Sequence, residues 1–247
     1  MRTQNTPETL WQIPQEKVFV IDTETTGLDR QNDEMVQLSI VDGLGRTVLN
    51  AYLKPEHRRQ WKKAEQIHGI SPSDVESCPH YSEIKPHVEQ ILADAGMIVG
   101  YNLPFDLAFL RDTKIRENTI MFDVMREFAP IKGEWLEWKK EYKWIKLTEC
   151  AAHYGIRNPA AHNSLHDAQT TLQCFYRLIN DRHWRGWRIQ RRQNASKFFK
   201  KHKKFIWGFV AGFVFSSVCF ASASGNAGNT TEKENRKNEH YSNYWRN

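Results

Sequence analysis

Residues 18–29 read VFVIDTETTGLD, and the reading of this stretch decides the fold. Val18, Phe19, Val20 and Ile21 form an unbroken apolar run of the kind that fills a strand buried on both faces. The run ends directly on Asp22, and Glu24 follows two positions later. Side chains two apart on a strand point to the same side, so both carboxylates share one face at the strand's end. Something has to balance their repulsion. Divalent cations would do so, since Mg2+ favours carboxylate and water oxygens. A turn is the competing reading: DTETTGLD is rich in turn formers, and Asp22 would then cap a loop.

Two more stretches bear on that choice. VGYNLPFDLAFL, residues 99–110, puts Asp106 at the start of a helix behind a second apolar strand. An acid there also suits the positive end of a helix dipole. AHNSLHDAQ, residues 161–169, puts His162 five positions before Asp167. Here Ser164 and Asp167 have the spacing of a capping box, which would leave His162 as a loop residue.

Taken in order, D-x-E-T-T-G (22–27), N-x-x-F-D (102–106) and H-x-x-x-x-D (162–167) resemble the DEDDh family of 3′→5′ exonucleases. These are DnaQ-like enzymes with a ribonuclease-H-like fold, and the resemblance covers residues 17–180. IHGIS at 67–71 and Asp123 after a late strand extend it. The chain departs from the family at Tyr101, where histidine is frequent, and at Ser164, where alanine is usual. Both lie beside the five-residue set and bear on substrate preference. The resemblance implies two divalent cations, Mg2+ or alternatively Mn2+, held by Asp22, Glu24, Asp106 and Asp167. Asp22 would bridge both ions, Glu24 and Asp167 would complete one, and Asp106 would serve the other largely through water. His162 would take the proton of the attacking water, a role suited to a side chain that titrates near neutrality. The substrate implied is nucleic acid with a free 3′ end, DNA ahead of RNA, contacted by Thr25, Gly27, His68 and Phe105.

The rest of the chain reads as a mixed α/β sheet flanked by helices. Strands are expected at residues 17–22, 35–41, 47–53, 97–101 and 120–122, with the glycines of DGLGR making a hairpin between the second and third. Residues 60–95 read as helical in pieces, broken at Gly69, Pro72, Pro79 and Pro86. The region from 123 to 180 reads as helical. Within it, Trp135, Trp138, Tyr142 and Ile145 fall on one helical stripe. That stripe is either a core-facing helix with a lysine-rich outer face or a stacking platform beside Lys139, Lys140 and Lys143. The four cysteines show no metal spacing and read as isolated thiols of a reducing compartment.

Charge is unevenly spread. Residues 1–180 carry 21 Lys/Arg against 25 Asp/Glu, whereas residues 181–204 carry ten against one. The expected organisation is a polar arm (1–16), the exonuclease domain (17–180), a basic juxtamembrane segment (181–204), a transmembrane helix (205–223) and a disordered polar tail (224–247). The 205–223 run has 19 residues and no charge. At roughly 1.5 Å per residue it reaches about 28 Å, close to a bilayer core. The basic block would bind anionic lipid and hold the catalytic domain on the cytoplasmic side of a single-pass protein. Gly208 and Gly212 make a G-x-x-x-G face for a homodimer, and ASA at 221–223 resembles a cleavage site. The competing functions are a low-turnover tethering module at the membrane and a proofreading subunit beside a polymerase.

Overall fold

β1 (Val18–Thr25) is the central strand of a five-stranded sheet with the order β3-β2-β1-β4-β5 in the computed structural model, which describes residues 10–158, 161–191 and 193–194. β2 (Met35–Asp42) runs antiparallel to β1, and β3 (Thr47–Tyr52) antiparallel to β2. β4 (Met97–Gly100) and β5 (Ile120–Asp123) continue the sheet in parallel on the other side of β1. All eight residues of β2 are buried, while the outermost β3 exposes four of its six. The expected β2–β3 hairpin closes at Gly45, whose φ of 85° suits glycine. Asp42 anchors that turn by accepting from the amides of Leu44 and Arg46.

Among the described residues between β3 and Asn180, six helices flank the sheet: α1 (Lys62–His68), α2 (Tyr81–Ala93), α3 (Leu103–Phe109), α4 (Val124–Lys132), α5 (Leu147–His153) and α6 (Ser164–Asn180). The period-2 alternation of β1 sorts them into layers. Phe19 and Ile21 share a core with Val88 and Leu92 of α2 and with Leu103 and Phe109 of α3. Val20 faces the other way, in register with Val99 and Phe122. There Phe122 meets Phe175 of α6 edge-on, with ring centroids 5.0 Å apart. Cys78, Cys150 and Cys174 are free thiols.

Three expectations are corrected. Pro86 does not break α2 but lies inside it. It removes one backbone bond, and the burial of Val88 and Leu92 on the next turns keeps the helix continuous. Residues 133–146 are not a helix. α4 ends at Gly133 (φ 76°), and β6 (Trp135–Leu136) pairs with β7 (Glu141–Tyr142) in a hairpin. Trp135 and Tyr142 sit opposite each other, rings 5.1 Å apart at 76°. A seven-residue spacing stacks two side chains on a helix and also pairs them across this hairpin, so the pattern cannot separate the two. Trp138 lies in the turn, 76% exposed, and of the four only Ile145 is buried in the core. The third correction concerns Ser164 and is given with the site.

Packing continues past Asn180. Residues 182–191 are helical, and one compact unit runs through Arg185. Trp184 is fully buried, its ring beside Phe122 and its indole N–H donating to Glu127 Oε2 at 2.9 Å. The expected membrane span at 205–223, the Gly208/Gly212 face and the cleavage site after Ala223 lie outside the described residues. Among the described residues no helix is long and apolar enough to cross a membrane. Trp184→Ala is expected to cost about 3–5 kcal/mol, the usual loss for a core tryptophan; denaturant unfolding of the variant beside the parent measures it.

Candidate active site

The site lies where β1, β4 and β5 all end. Asp22 and Glu24 are even-numbered like Val20, so they leave β1 toward the α6 layer, where the first turn of α6 carries Asp167. Oxygens of Asp22, Glu24 and Asp167 all lie within 4.8 Å of one another. Thr23 leaves β1 on the opposite side, toward α3, and its hydroxyl donates to Asp106 Oδ1 at 2.8 Å. The alternation thus puts three carboxylates on one face of the strand end. It gives the fourth, which arrives on α3, a hydroxyl to hold it.

The loops entering α3 and α6 set the angle of these helices. Asn102 precedes α3 with a left-handed backbone, φ 65°. Its amide donates to Asp123 Oδ1, which also caps α4 through the amide of Arg126. His162 has a φ of 66°, and its amide donates to Asp167 Oδ2 at 2.8 Å. Asn158 Nδ2 donates to the other oxygen of Asp167 at 2.8 Å. Asparagine and histidine are among the few non-glycine residues that tolerate this backbone region.

The capping-box reading of Ser164 is corrected here. The cap of α6 is Asn163, which accepts from the amide of His166. Ser164 is the first helical residue, and its amide donates to Gln37 Oε1. Its hydroxyl lies 2.6 Å from that of Ser39. Ser39 donates onward to Asn50 Oδ1, which Gln37 Nε2 also reaches. The proton of Ser164 therefore points at Ser39, and the seam is satisfied throughout. The departure from alanine at Ser164 is thereby absorbed as a buried link from α6 to β2. Tyr101, the other departure, donates to the carbonyl of Ile145 and ties the exit of the β6–β7 hairpin to the start of α3.

Electrostatics follow from the crowding. Burial, and then the charges of Asp106, Asp167 and Glu24, raise Asp22 well above the carboxylate range. Glu24 is pushed to about 8 by burial and by Asp167 and Asp106. Asp106 rises to about 7, mainly through burial, despite the Thr23 hydrogen bond. Burial also raises Asp167 and takes Asp123 to about 6.

The residues expected to touch substrate are placed as follows. Thr25 is buried, its hydroxyl bonded to the carbonyl of Gly27 and its own carbonyl 3.2 Å from His68 Nε2. His68 Nδ1 accepts from the amide of Ile70, so Nε2 carries the proton and donates to Thr25. Burial lowers the His68 pKa, which keeps it neutral. A side chain at Gly27 would come within 2.7 Å of Asp33 Cγ, so this position needs the absence of a Cβ. Phe105 is half-buried, its ring 5.0 Å from Phe109. Thr23 and Asn158 are contributors that the motifs do not reveal. Thr23 sits unremarked between two acids, and Asn158 is nine residues from the carboxylate it holds.

Residues 19–175 match the family model RNase_T, described as exonuclease. The chain belongs to the RNase_T exonuclease family. It is an exonuclease of the DnaQ-like type with a ribonuclease-H-like fold. An uncharacterized exonuclease of Escherichia phage 186 is 30% identical over 174 residues, covering 65% of this chain and 86% of the phage protein. The PolC-type DNA polymerase III of Thermotoga maritima is 27% identical over 176 residues, but this chain covers only 12% of it. The DNA polymerase III epsilon subunit of Rickettsia conorii is 31% identical over 97 residues, 37% of this chain and 41% of that one. In structure, Exonuclease X bound to duplex DNA with a 5′ overhang superposes with a TM-score of 0.53 at 20% identity, covering 68% of this chain and 93% of its own. Exonuclease I of E. coli with a dT13 oligonucleotide gives 0.57 at 17%, covering 69% and 42%.

The raised carboxyl groups have a thermodynamic consequence. At neutral pH the folded cluster holds protons that the unfolded chain has released, because unfolded carboxyls titrate near 4. The stability this contributes is complete below about pH 4 and is lost as pH rises through the values near 7 and 8 of Asp106 and Glu24. Thermal unfolding in chelator is expected to show a melting temperature that falls from pH 5 to pH 9. Added Mg2+ is expected to restore it, and more strongly the higher the pH, because bound cations need the deprotonated ligands.

Proposed function

We propose that the chain removes nucleotides one at a time from the 3′ end of DNA, using divalent cations held by Asp22, Glu24, Asp106 and Asp167. The observation that carries this is the meeting of Asp22, Glu24 and Asp167 within 4.8 Å at the strand end, with Asp106 and His162 beside them. The donor set is entirely carboxylate oxygen, which fits a hard ion such as Mg2+ or Mn2+ rather than a thiolate-seeking one. The raised carboxyl groups are the electrostatic signature of a site that a cation would relieve. Two such ions, when bound, would polarise the attacking and leaving oxygens and screen the phosphate charge.

The chain's own residues supply the rest. His162 takes one proton from the attacking water as its oxygen bonds to the terminal phosphorus. The bond from phosphorus to the 3′ oxygen of the preceding nucleotide breaks, and that oxygen takes a proton from solvent, giving a nucleoside 5′-monophosphate and a new 3′ hydroxyl; His162 then returns its proton to solvent. Thr23 keeps Asp106 in place, and the His162 amide and Asn158 do the same for Asp167. The loop around Thr25 and Gly27, with His68 behind it and Phe105 across the entrance to α3, receives the terminal nucleotide. The 3′ polarity and the preference for DNA draw support from Exonuclease X and Exonuclease I, whose solved forms hold DNA. A duplex with a 5′ overhang presents a recessed 3′ terminus. The epsilon-subunit relative supports a second reading, in which the domain edits beside a polymerase.

A 5′-labelled DNA oligonucleotide incubated with Mg2+ is expected to shorten in single-nucleotide steps, and a 3′-labelled one to release its label at once. Chelator stops both. His162→Ala is expected to lower kcat by about 100-fold or more, in keeping with the loss of a general base. Thr23→Val is expected to lower it about tenfold or more through a misplaced Asp106. Shortening from the 5′ side, or cuts within the strand, would sink the reading.

We further propose that residues 205–223 anchor the exonuclease to a membrane, with the domain and the basic segment on the cytoplasmic face. The support is the sequence itself: 19 uncharged residues directly behind ten Lys/Arg. Expressed in cells, the full chain is expected to resist alkaline carbonate extraction from membranes, whereas a chain lacking residues 205–247 is expected in the supernatant.

A further inference from the structure

Residues 54–63 read KPEHRRQWKK, with five Lys/Arg and one acid, in a region (1–180) where acids outnumber bases. This basic strap follows β3 and runs into α1, whose last residue, His68, donates to the loop at Thr25. It is held from both ends. Trp61 is buried with Val36, Ile70 and Val75, and its indole N–H donates to the carbonyl of Ile70 at 2.8 Å. At the other end the carboxylate of Glu34 accepts the amides of Glu56, His57 and Arg58 at 2.8, 3.0 and 2.7 Å. The carbonyl of Glu34 accepts from Thr26 in turn, so the strap is fastened to the loop that follows the catalytic strand.

The cations of the strap divide into two sets. Lys54 pairs with Glu76, and Arg58 reaches Asp33 and the carbonyl of Asn32. Arg59, Lys62 and Lys63 are exposed and make no ion pair within 4 Å among the described residues, although Arg59 lies near enough to Glu76 to help lower its carboxyl. Of these three, Arg59 lines an open cavity of about 510 Å³, together with Lys54, Glu56, His57, His80 and Ser82. The Trp/Lys hairpin presents the opposite case. There Lys139 pairs with Glu141, Lys140 with Glu137 and Lys143 with Glu134, so its charge is largely neutralised. Exposed charge that is not engaged in close ion pairs, on a backbone fixed by hydrogen bonds, is what a polyanion rewards, because each contacted phosphate releases counterions.

We propose that the strap at residues 54–63 is a second nucleic-acid contact, in which Arg59, Lys62 and Lys63 hold backbone phosphates of DNA lying outside the cleavage site. This rests on the exonuclease reading and extends it. The active site would bind only the terminal nucleotides, and its carboxyl groups offer a phosphate chain no positive charge without cations. The strap supplies the attraction that retains a long strand between cuts.

The test uses the full chain and the triple substitution R59Q/K62Q/K63Q, with K139Q/K140Q/K143Q as the charge-matched control on the hairpin. The p-nitrophenyl ester of thymidine 5′-monophosphate, too short to reach the strap, reports the site alone. On a long oligonucleotide the triple variant is expected to raise KM at unchanged kcat. The slope of log KM against log salt is expected to become shallower by about two, at roughly 0.7–0.9 per lost phosphate contact. The hairpin control keeps the parent slope. Equilibrium anisotropy of a labelled oligonucleotide in chelator gives the same comparison without turnover, so the strap is decided even if the exonuclease reading fails on ester and DNA alike. An unchanged slope and affinity in the triple variant overturns the proposal. So does a variant that binds DNA like the parent but loses adhesion to phosphatidylserine vesicles, which would assign the strap to lipid.

Discussion

Four carboxyl groups converge at the end of β1, and their mutual repulsion is the constraint that the surrounding structure is built to withstand. Like charges at such distances in a partly buried site do not all ionise, so protons are retained until a cation replaces them. The sheet brings Asp22 and Glu24 to this point as the continuation of its central strand, whose first four residues are buried. Moving them apart would require β1 to change register against both β2 and β4, turning Phe19 and Ile21 out of their core. The apolar packing therefore holds the acids together against their repulsion.

The helices add the other two carboxylates through positions that are themselves costly. Asn102 and His162 both sit at positive φ within two residues of the helices that carry Asp106 and Asp167. Such backbones cost of order 1 kcal/mol or more and persist only where surrounding bonds over-determine them. Here the Asp123 carboxylate fixes Asn102, and Asp167 itself fixes the amide of His162. In the second case a metal-ligand candidate and the proposed general base are joined by one hydrogen bond. A shift in either moves the other.

Much of this was legible in the sequence for a physical reason. A buried strand has few ways to end on carboxylates, and three short motifs in a fixed order left little freedom about which residues meet. The mixed sheet, the β2–β3 hairpin and the helical starts at Leu103 and Ser164 follow from apolar runs and turn residues with strong local preferences. What was hidden had no local signature. The aromatic spacing of residues 135–145 fits a helix and a hairpin equally, and the deciding features are the left-handed Gly133 and Lys140. Pro86 is tolerated because its neighbours are buried, which is a tertiary fact. Thr23 and Asn158 matter through partners 83 and nine residues away. Trp184 completes the core from within a segment whose composition reads as basic and exposed.

The remaining tension is that an acidic domain is asked to bind a polyanion. Cations in the cluster solve this only over the scissile phosphate, because exposed charges are screened beyond about 10 Å in ordinary salt. A strand longer than a few nucleotides therefore needs positive charge from the protein surface. Lysines already paired with glutamates contribute little to it, since each would have to give up one partner to gain another. The strap escapes this exchange. Its backbone amides are occupied by Glu34, which spends that acid's charge on the main chain and leaves Arg59, Lys62 and Lys63 facing solvent. That carboxylate orders the loop through its amides and makes no ion pair with these three side chains. The same residue pair, Asp33 and Glu34, that shapes the turn after the catalytic strand thus fixes where positive charge is offered beside it.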